Sequence, residues 1–527
     1  MTASILGRVM LAFEGETLPP TVARRLADAP AAGFTLFRYL NVRSPGQVRE
    51  LADAFQRAGG AGGPRLVAAD QEGGQLQGLG DGTTAFAGNM ALGAIDDAEL
   101  TERVGRAIGT EARAMGVNVV YAPVLDVASD PGNPALGIRS FGDDPAVVGR
   151  HGAAMVRGLQ AAGVAATVKH APGMGHISAD THHGLAVVDA ARDVLDAREF
   201  APFRAAFLAG ARIAMSGHLA LPAITGRRDL PATLSRAVMT DLLRGDLGFD
   251  GVTISDALDM RAIDQGDGLA DAVVAAMLAG VDLLLTAADP DARARIETAL
   301  VAAAAGGRLD PTEVAATDRR LAALRAWLGA AGPRPDLAVV GGAHHATLAR
   351  EVAARSITLV RDPAGLLPWS AASGTDGRPS RILAVMPRPA DLTPADTSST
   401  VEPVLAAALR RHHPTVDEVV VDQAPDAAAI AAVRDRAAAA DLVVIGTIDA
   451  SRQPSQVALV EAVTATGTPV VAVALRGPWD VATYPPEATS LATYSIQPAS
   501  LDALAAVLFG AASAPGRLPV APGPWRG

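Results

Sequence analysis

The sequence predicts two α/β domains in series, a (β/α)8 TIM-type barrel over residues 1–332 and an α/β/α sandwich over residues 333–527. Three observations carry that expectation. Short apolar or β-branched runs, eight in number, alternate with Ala- and Leu-rich helical segments up to about residue 330, which is the pattern of a parallel sheet built from βα units. Polar residues collect at one end of these runs: Asp70, Asp126, Lys169 with His170, His218 and Asp256 each fall at or just after a run's C-terminal end, the rim where barrels hold their chemistry. Finally, the break AAGPRPD separates this pattern from a second alternation and marks the domain linker.

In order, the first strand lies in ILGRVMLAF. The segment that carries it, MTASILGRVMLAFEGETLPP, has no basic leader, long apolar stretch or small-residue cleavage site, and so reads as folded structure. GFTLFRYL, RLVAAD, VNVVYAPVLDV, VAATVKH, RIAMSGHLAL, GVTISDAL and VDLLLTA supply the other seven strands. SPGQVRELADAFQRAG, AELTERVGRAIGTEARAMG and GLADAVVAAMLAG read as intervening helices, and ATDRRLAALRAWLG as the helix before the linker. Beyond it, HHATLAREVAARSITLV reads as a helix leading to the strands RILAVMP, DEVVVDQ, DLVVIGTI and PVVAVAL. LLPWSAASGTDGRPS and PRPADLTPADTSST read as exposed loops.

Composition narrows the function. A net charge of -11 and a pI near 5.4, with no long basic run, give no footprint for nucleic acid or an anionic membrane. Zero cysteines exclude disulfides and thiolate metal sites. No apolar run approaches the ~20 residues of a membrane helix, so a soluble, cytoplasmic protein is expected. Four Trp and four Tyr make an extended aromatic platform for a polymer unexpected, and short soluble substrates fit better.

The stretch TVKHAPGMGHISADTHHGL holds the single lysine among 45 Lys and Arg residues, and four of the ten histidines. In a chain so biased towards arginine, Lys169 is expected where a compact ammonium is needed. Asp180, Thr181 and His182 are spaced so that a carboxylate can hold an imidazole by its second nitrogen, which orients it for acid/base work. The same loop offers an alternative, a metal site of His176, His182, His183 and Asp180, but helical ligand spacing is lacking and no metal or cofactor is expected. His183 and the pairs His344/His345 and His412/His413 fit surface loops. In TISDALDM, Asp256 closes an apolar strand, as a nucleophile at the barrel mouth or as the cap of a following helix. Asp70, in AADQEGGQ, is a cleft carboxylate or part of a tight turn.

DQEGG, RSFGDDP, KHAPGMG followed by DTH, PATLS, LLRGDLGFDG and ISDALDM occur in an order that resembles the family-three glycoside hydrolases, and within them the bacterial β-N-acetylglucosaminidases. AREVAARSITLV, LRGPWD and GRLPV resemble that family's C-terminal sandwich. The resemblance implies that Asp256 is the nucleophile and that His182, oriented by Asp180, is the acid/base. It also implies that Asp70, Arg139, Lys169 and His170 hold the sugar's hydroxyls. The histidine on the barrel and Ala257 after the nucleophile resemble the N-acetylglucosaminidase branch, not the glucosidases. A retaining enzyme releasing terminal GlcNAc from short oligosaccharides or glycoconjugates is therefore expected. Phosphorolysis with inorganic phosphate as acceptor, a β-glucosidase or β-xylosidase, and a retired sugar-binding protein are the alternatives. Gln75 and Gly78 depart from the family's arginines, as do Ala171, Met174 and His176 from its usual residues, and one sugar contact is expected to be missing.

Overall fold

Eight short parallel strands form the first sheet of the computed structural model, which describes residues 2–58, 63–177, 184–263, 268–370, 380–521 and 523. They are β1 (Val9–Leu11), β2 (Gly33–Leu36), β3 (Leu66–Ala69), β4 (Val119–Val120), β5 (Ala165–Ala171), β6 (Ile213–Ser216), β7 (Val252–Ser255) and β8 (Leu284–Leu285). Seven lie within predicted runs, and β5 runs one residue past the end of VAATVKH. The sheet runs β7-β6-β5-β4-β3-β2-β1-β8, and one parallel bridge between Ile254 and Leu283 brings its two ends together into a nearly closed barrel. The first run differs in detail from its reading as a strand, since Thr2–Leu6 is helical and only Val9–Leu11 is strand.

Strand alternation builds two cores. Leu66, Ala68, Val119, Tyr121, Ile213, Met215, Val252 and Ile254 share one cluster with Leu321, Leu324 and Leu328, so the helix Pro311–Gly329 packs on side chains from inside the ring. Alternate residues such as Phe34, Val67, Ala69 and Val168 join the larger cluster with the surrounding helices. Two polar groups inside pair with each other, Thr35 Oγ1 with the Tyr121 hydroxyl at 2.9 Å. The helix Pro45–Arg57 begins as its sequence dictates: Ser44 accepts from the Gln47 amide and proline occupies the first turn.

The second domain is a six-stranded sheet of β9 (Thr358–Arg361), β10 (Ile382–Pro387), β11 (Val416–Val421), β12 (Leu442–Thr447), β13 (Val470–Ala474) and β14 (Thr489–Ala492), in the order β9-β14-β13-β12-β10-β11. Helices cover both faces. Leu383, Val385, Val443 and Ile445 pack with Val433, Leu459 and Val463, whereas Ala384, Met386, Val444 and Val471 pack with Leu405, Leu409, Leu501 and Leu504. Two strands escape the sequence reading. The helix expected over HHATLAREVAARSITLV ends at Ser356, and its β-branched tail becomes β9, antiparallel to the unforeseen β14.

The histidine pairs are not simply surface loops. His345 Nδ1 lies 2.7 Å from buried Glu111, which also accepts from the amides of Thr84 and Gly341 and so ties the chain beyond the linker to the barrel. His413 is buried, with Nε2 3.1 Å from Ser380 Oγ. No helix among the described residues is long and apolar enough to cross a membrane.

Candidate active site

A cavity of about 440 Å³ opens at the C-terminal ends of the barrel strands, a volume suited to a small ligand. Leu36 enters it from the end of β2 and Phe37 to Tyr39 just after, Asp70 after β3, Lys169 and His170 from β5, Met215 from β6 and Asp256 after β7; Arg139 also lines it. Hence the five described residues to which the sequence reading gave a role in catalysis or sugar binding line one cavity. Asp180 and His182 lie outside the described residues, as does His183.

The charged floor is a chain of paired ions. Lys169 is 2% exposed; its ammonium contacts the Asp70 carboxylate and donates to Glu72 Oε1 at 2.6 Å. Arg139 grips the same Glu72 as a fork, Nε to Oε2 at 3.0 Å and a terminal nitrogen to Oε1 at 2.9 Å. Burial alone would raise the Glu72 carboxyl, but Arg139 and then Lys169 outweigh it and hold it at about 2. Burial likewise pulls the Lys169 ammonium down, and Asp70 with Glu72 leaves it raised instead. A point charge fits between two carboxylates where a planar guanidinium needs more room, which gives the lone lysine a physical reason. Glu72 was missed by the sequence reading although it stands in DQEGG; a buried lysine needs a carboxylate, and that motif offers two.

His170 is held from behind. Its Nδ1 lies 2.7 Å from Asp126 Oδ2, and because a carboxylate only accepts, Nδ1 carries the proton. Asp126 Oδ1 also accepts from the Met174 amide at 2.8 Å, so one buried carboxylate fixes both the ring and the turn that follows. The other ring nitrogen is 3.4 Å from the Arg139 guanidinium.

Asp256 follows β7, and its backbone amide donates to the Ser216 carbonyl at 3.2 Å. Its Oδ1 accepts from the Ala257 amide at 2.8 Å. It does not cap the helix Leu269–Ala279, whose N-cap is Gly268. Ala257 is braced from below by buried His218, whose Nε2 donates to the Ala257 carbonyl at 3.0 Å, leaving Nδ1 to accept from Thr233 Oγ1 at 2.8 Å. Burial holds the His218 ring below its ordinary pKa, as a neutral strut. PATLS thus supplies Thr233, a role that the sequence alone did not reveal.

The second domain completes the cavity. Pro394, Ala395, Asp396 and Thr397 line it, and although Pro394 is exposed, the burial of Asp396, Thr397 and Ser398 overturns the expectation of an exposed loop for that part of PRPADLTPADTSST. Asp396, Thr397 and Ser398 are buried because they are tied to the barrel hairpin of Gln71–Gly73 and Leu76–Gln77: the Thr397 amide and hydroxyl donate to the Gln75 carbonyl, at 2.8 and 2.9 Å. In that hairpin a Cβ on Gly78 would sit 2.3 Å from the Asp70 carbonyl oxygen, so this backbone accepts no side chain where the family's arginine was expected. Tyr39, 63% exposed at the rim, donates to Asp391 at 2.7 Å.

No group of three or more His, Cys, Asp or Glu residues that could hold a metal ion is found among the described residues. His176, from the alternative metal set, is 3.4 Å from Ser129 Oγ.

Family models match the chain twice: the glycosyl hydrolase family 3 N terminal domain over residues 18–324 and the glycosyl hydrolase family 3 C-terminal domain over residues 268–523. The chain is 33% identical over 377 residues to the beta-hexosaminidase A of Pseudoalteromonas piscicida, covering 67% of this chain and 63% of that protein. It is 38% identical over 260 residues to a beta-hexosaminidase of Stenotrophomonas maltophilia, covering 48% of this chain and 75% of that one. The solved structure of a glycoside hydrolase family 3 beta-N-acetylglucosaminidase from Paenibacillus sp. str. FPU-7 superimposes with a TM-score of 0.93, at 32% identity over 100% of this chain and 99% of that chain.

Proposed function

The chain belongs to glycosyl hydrolase family 3, and from that premise we propose that it is a retaining β-N-acetylglucosaminidase that releases terminal GlcNAc from short oligosaccharides or glycoconjugates. One observation carries the reading: Asp256 opens onto the same cavity as Asp70, Arg139, Lys169 and His170. A carboxylate facing a cluster of fixed donors is what attack on a bound pyranose requires. The likeness to named beta-hexosaminidases supports the choice of sugar.

In the first step an Asp256 oxygen bonds to the anomeric carbon while the bond to the leaving oxygen breaks. His182, which the family resemblance pairs with Asp180, gives that oxygen a proton. The sugar is left as an ester of Asp256. Neutral His182 then takes a proton from water, whose oxygen bonds to the anomeric carbon and frees the carboxylate; two inversions give net retention. Meanwhile Asp70, Arg139, Lys169 and His170 hold the ring hydroxyls, and fixed charges in a site shielded from water cost no reorganisation when the transition state forms.

Aryl β-glycosides that differ only at C2, assayed with and without phosphate, test the reading. We expect the 2-acetamido substrate to be preferred, a β-configured first product by NMR, and loss of turnover in Asp256→Asn. No turnover of the acetamido glycoside, with sugar binding intact, would identify a retired binding protein. A preference for the 2-hydroxyl substrate would identify a glucosidase.

A further inference from the structure

Besides the Thr397 bonds to the barrel hairpin, one side chain braces the wall that the second domain gives to the cavity. Arg476, only 7% exposed, follows β13 and reaches in two directions. One terminal nitrogen donates to Asp396 Oδ2 at 2.8 Å and the other to Gln75 Oε1 at 2.6 Å. The first bond holds the wall from within its own domain, and the second fastens it to the barrel hairpin. Gln75 closes the circuit by donating from Nε2 to the Ala395 carbonyl at 3.2 Å.

The wall's own polar groups are spent on this fastening. Asp396 Oδ2 also accepts from the Leu392 amide, and its Oδ1 accepts from the Ser398 amide at 2.9 Å. Thr397 Oγ1 donates to the Gln75 carbonyl and accepts from the Gln77 amide at 3.1 Å. Pro394 and Ala395 carry no side-chain hydrogen-bonding group. A wall so built confines a substrate by shape and contributes little polar recognition of its own.

We propose that Arg476 is a positioning residue, which locks the Pro394–Thr397 wall onto the barrel through Gln75 and thereby sets how tightly the site holds its substrate. The proposal rests on the glycosidase reading for its kinetic consequence. Its structural consequence does not depend on that reading. Because Arg476 is not among the residues that line the cavity with Asp256, loosening it should weaken substrate binding and leave the bound substrate's chemistry largely intact, a signature that a general folding defect does not give.

Three variants of the full chain test it: Arg476→Met, Gln75→Leu and Gln75→Glu. Gln75→Leu removes only the two Gln75 side-chain bonds across the domains and keeps the Thr397 bonds to the hairpin backbone and Arg476 on Asp396, so it remains informative if Arg476→Met folds poorly. Gln75→Glu keeps an acceptor for the guanidinium and loses only the longer bond to the Ala395 carbonyl, so it isolates the Arg476 contact. We expect Gln75→Leu and Arg476→Met to raise KM for an aryl β-N-acetylglucosaminide at least about fivefold with kcat within about twofold, and Gln75→Glu to retain the wild-type KM. In the free proteins, hydrogen exchange of peptides spanning residues 390–400 should accelerate in the first two variants and stay unchanged in the third. An unchanged exchange rate or an unchanged KM in Gln75→Leu overturns the proposal, as does a loss confined to kcat. A wild-type protein that turns over no aryl glycoside refutes the functional reading instead, and the exchange rates then decide the lock alone.

Discussion

Replacing Glu72 by glutamine removes the anion that Arg139 and Lys169 share while keeping its shape. The two cations stay buried, and the new amide must turn N–H groups towards other donors. Two routes give the magnitude. Breaking a buried ion pair by removing one partner typically costs about 3–5 kcal/mol. Independently, holding the carboxyl at about 2 and not at its ordinary 4.5 corresponds to about 3 kcal/mol, at ~1.4 kcal/mol per tenfold change in acidity. An unfolding entropy of about 2 cal/mol/K per residue, taken over a barrel of roughly 330 residues, converts this to a Tm lowered by about 4–7 °C at pH 7. Because the carboxyl is held below its unfolded value, its stabilisation is complete above about pH 5 and is lost as pH falls through the folded value near 2. The gap between wild type and Glu72→Gln should therefore shrink to less than half by pH 3. Calorimetry of both proteins from pH 7 to pH 3 measures this, and kcat/KM at pH 7 should fall about a hundredfold or more as Lys169 and Arg139 lose their aim. A gap under 1 °C at pH 7, or one that stays constant to pH 3, would refute the account of Glu72 as the hub.

Lys169→Arg places a planar fork in a slot sized for an ammonium between Asp70 and Glu72; kcat/KM should drop at least about tenfold, and parity with wild type would remove the argument from the lone lysine. Thr233→Val leaves His218 Nδ1 without its donor, which should cost about 1–3 kcal/mol and lower kcat through the displaced Ala257 carbonyl; steady-state rates and a melting curve check both. Tyr39→Ala strips an aromatic face from the rim, and KM for an aryl glycoside should rise about two- to tenfold while that for a methyl glycoside stays put.

The barrel was legible because each strand announces itself by β-branched runs, and its chemistry by polar residues at their ends. That rule placed Asp70, Lys169, His170 and Asp256 at the rim, and the family resemblance gave them their expected roles. What the sequence hid are groups that act on other groups. Glu72 has the same side chain as any surface glutamate until Arg139 and Lys169 arrive from elsewhere in the chain. Asp126 was visible at a strand end, but its grip on His170 and on the Met174 amide depends on the turn after β5. β9 and β14 were missed for a different reason: each is four residues long and they pair across more than a hundred residues, so neither has a local signal strong enough to stand alone. Least legible was the Pro394–Thr397 wall, since its Pro, Asp and Thr residues carry a loop's composition, and Asp396 and Thr397 are buried only because Gln75 and Arg476 receive them.

The same charges bear on whether water or phosphate accepts the sugar. On the proposed mechanism Asp256 is esterified and no longer counts, and the paired charges of the floor among the described residues are then Arg139 and Lys169 against Asp70, Glu72 and Asp126, with Asp259 a further carboxylate on the cavity lining. Two cations against three anions leave one negative charge when His170 is neutral. At about 5 Å and an effective dielectric near 20, each unit charge on an approaching anion then loses about 3 kcal/mol, a factor of more than a hundred against phosphate relative to neutral water. Arg38 at the rim offers little relief, because it is already paired with Asp81 at 2.7 Å. Hydrolysis is the expected outcome. Product analysis with millimolar phosphate should show free sugar and no glycosyl phosphate, at a rate independent of phosphate; a rate that climbs with phosphate, together with glycosyl phosphate as product, would mean that a cation not counted in this balance faces the ester.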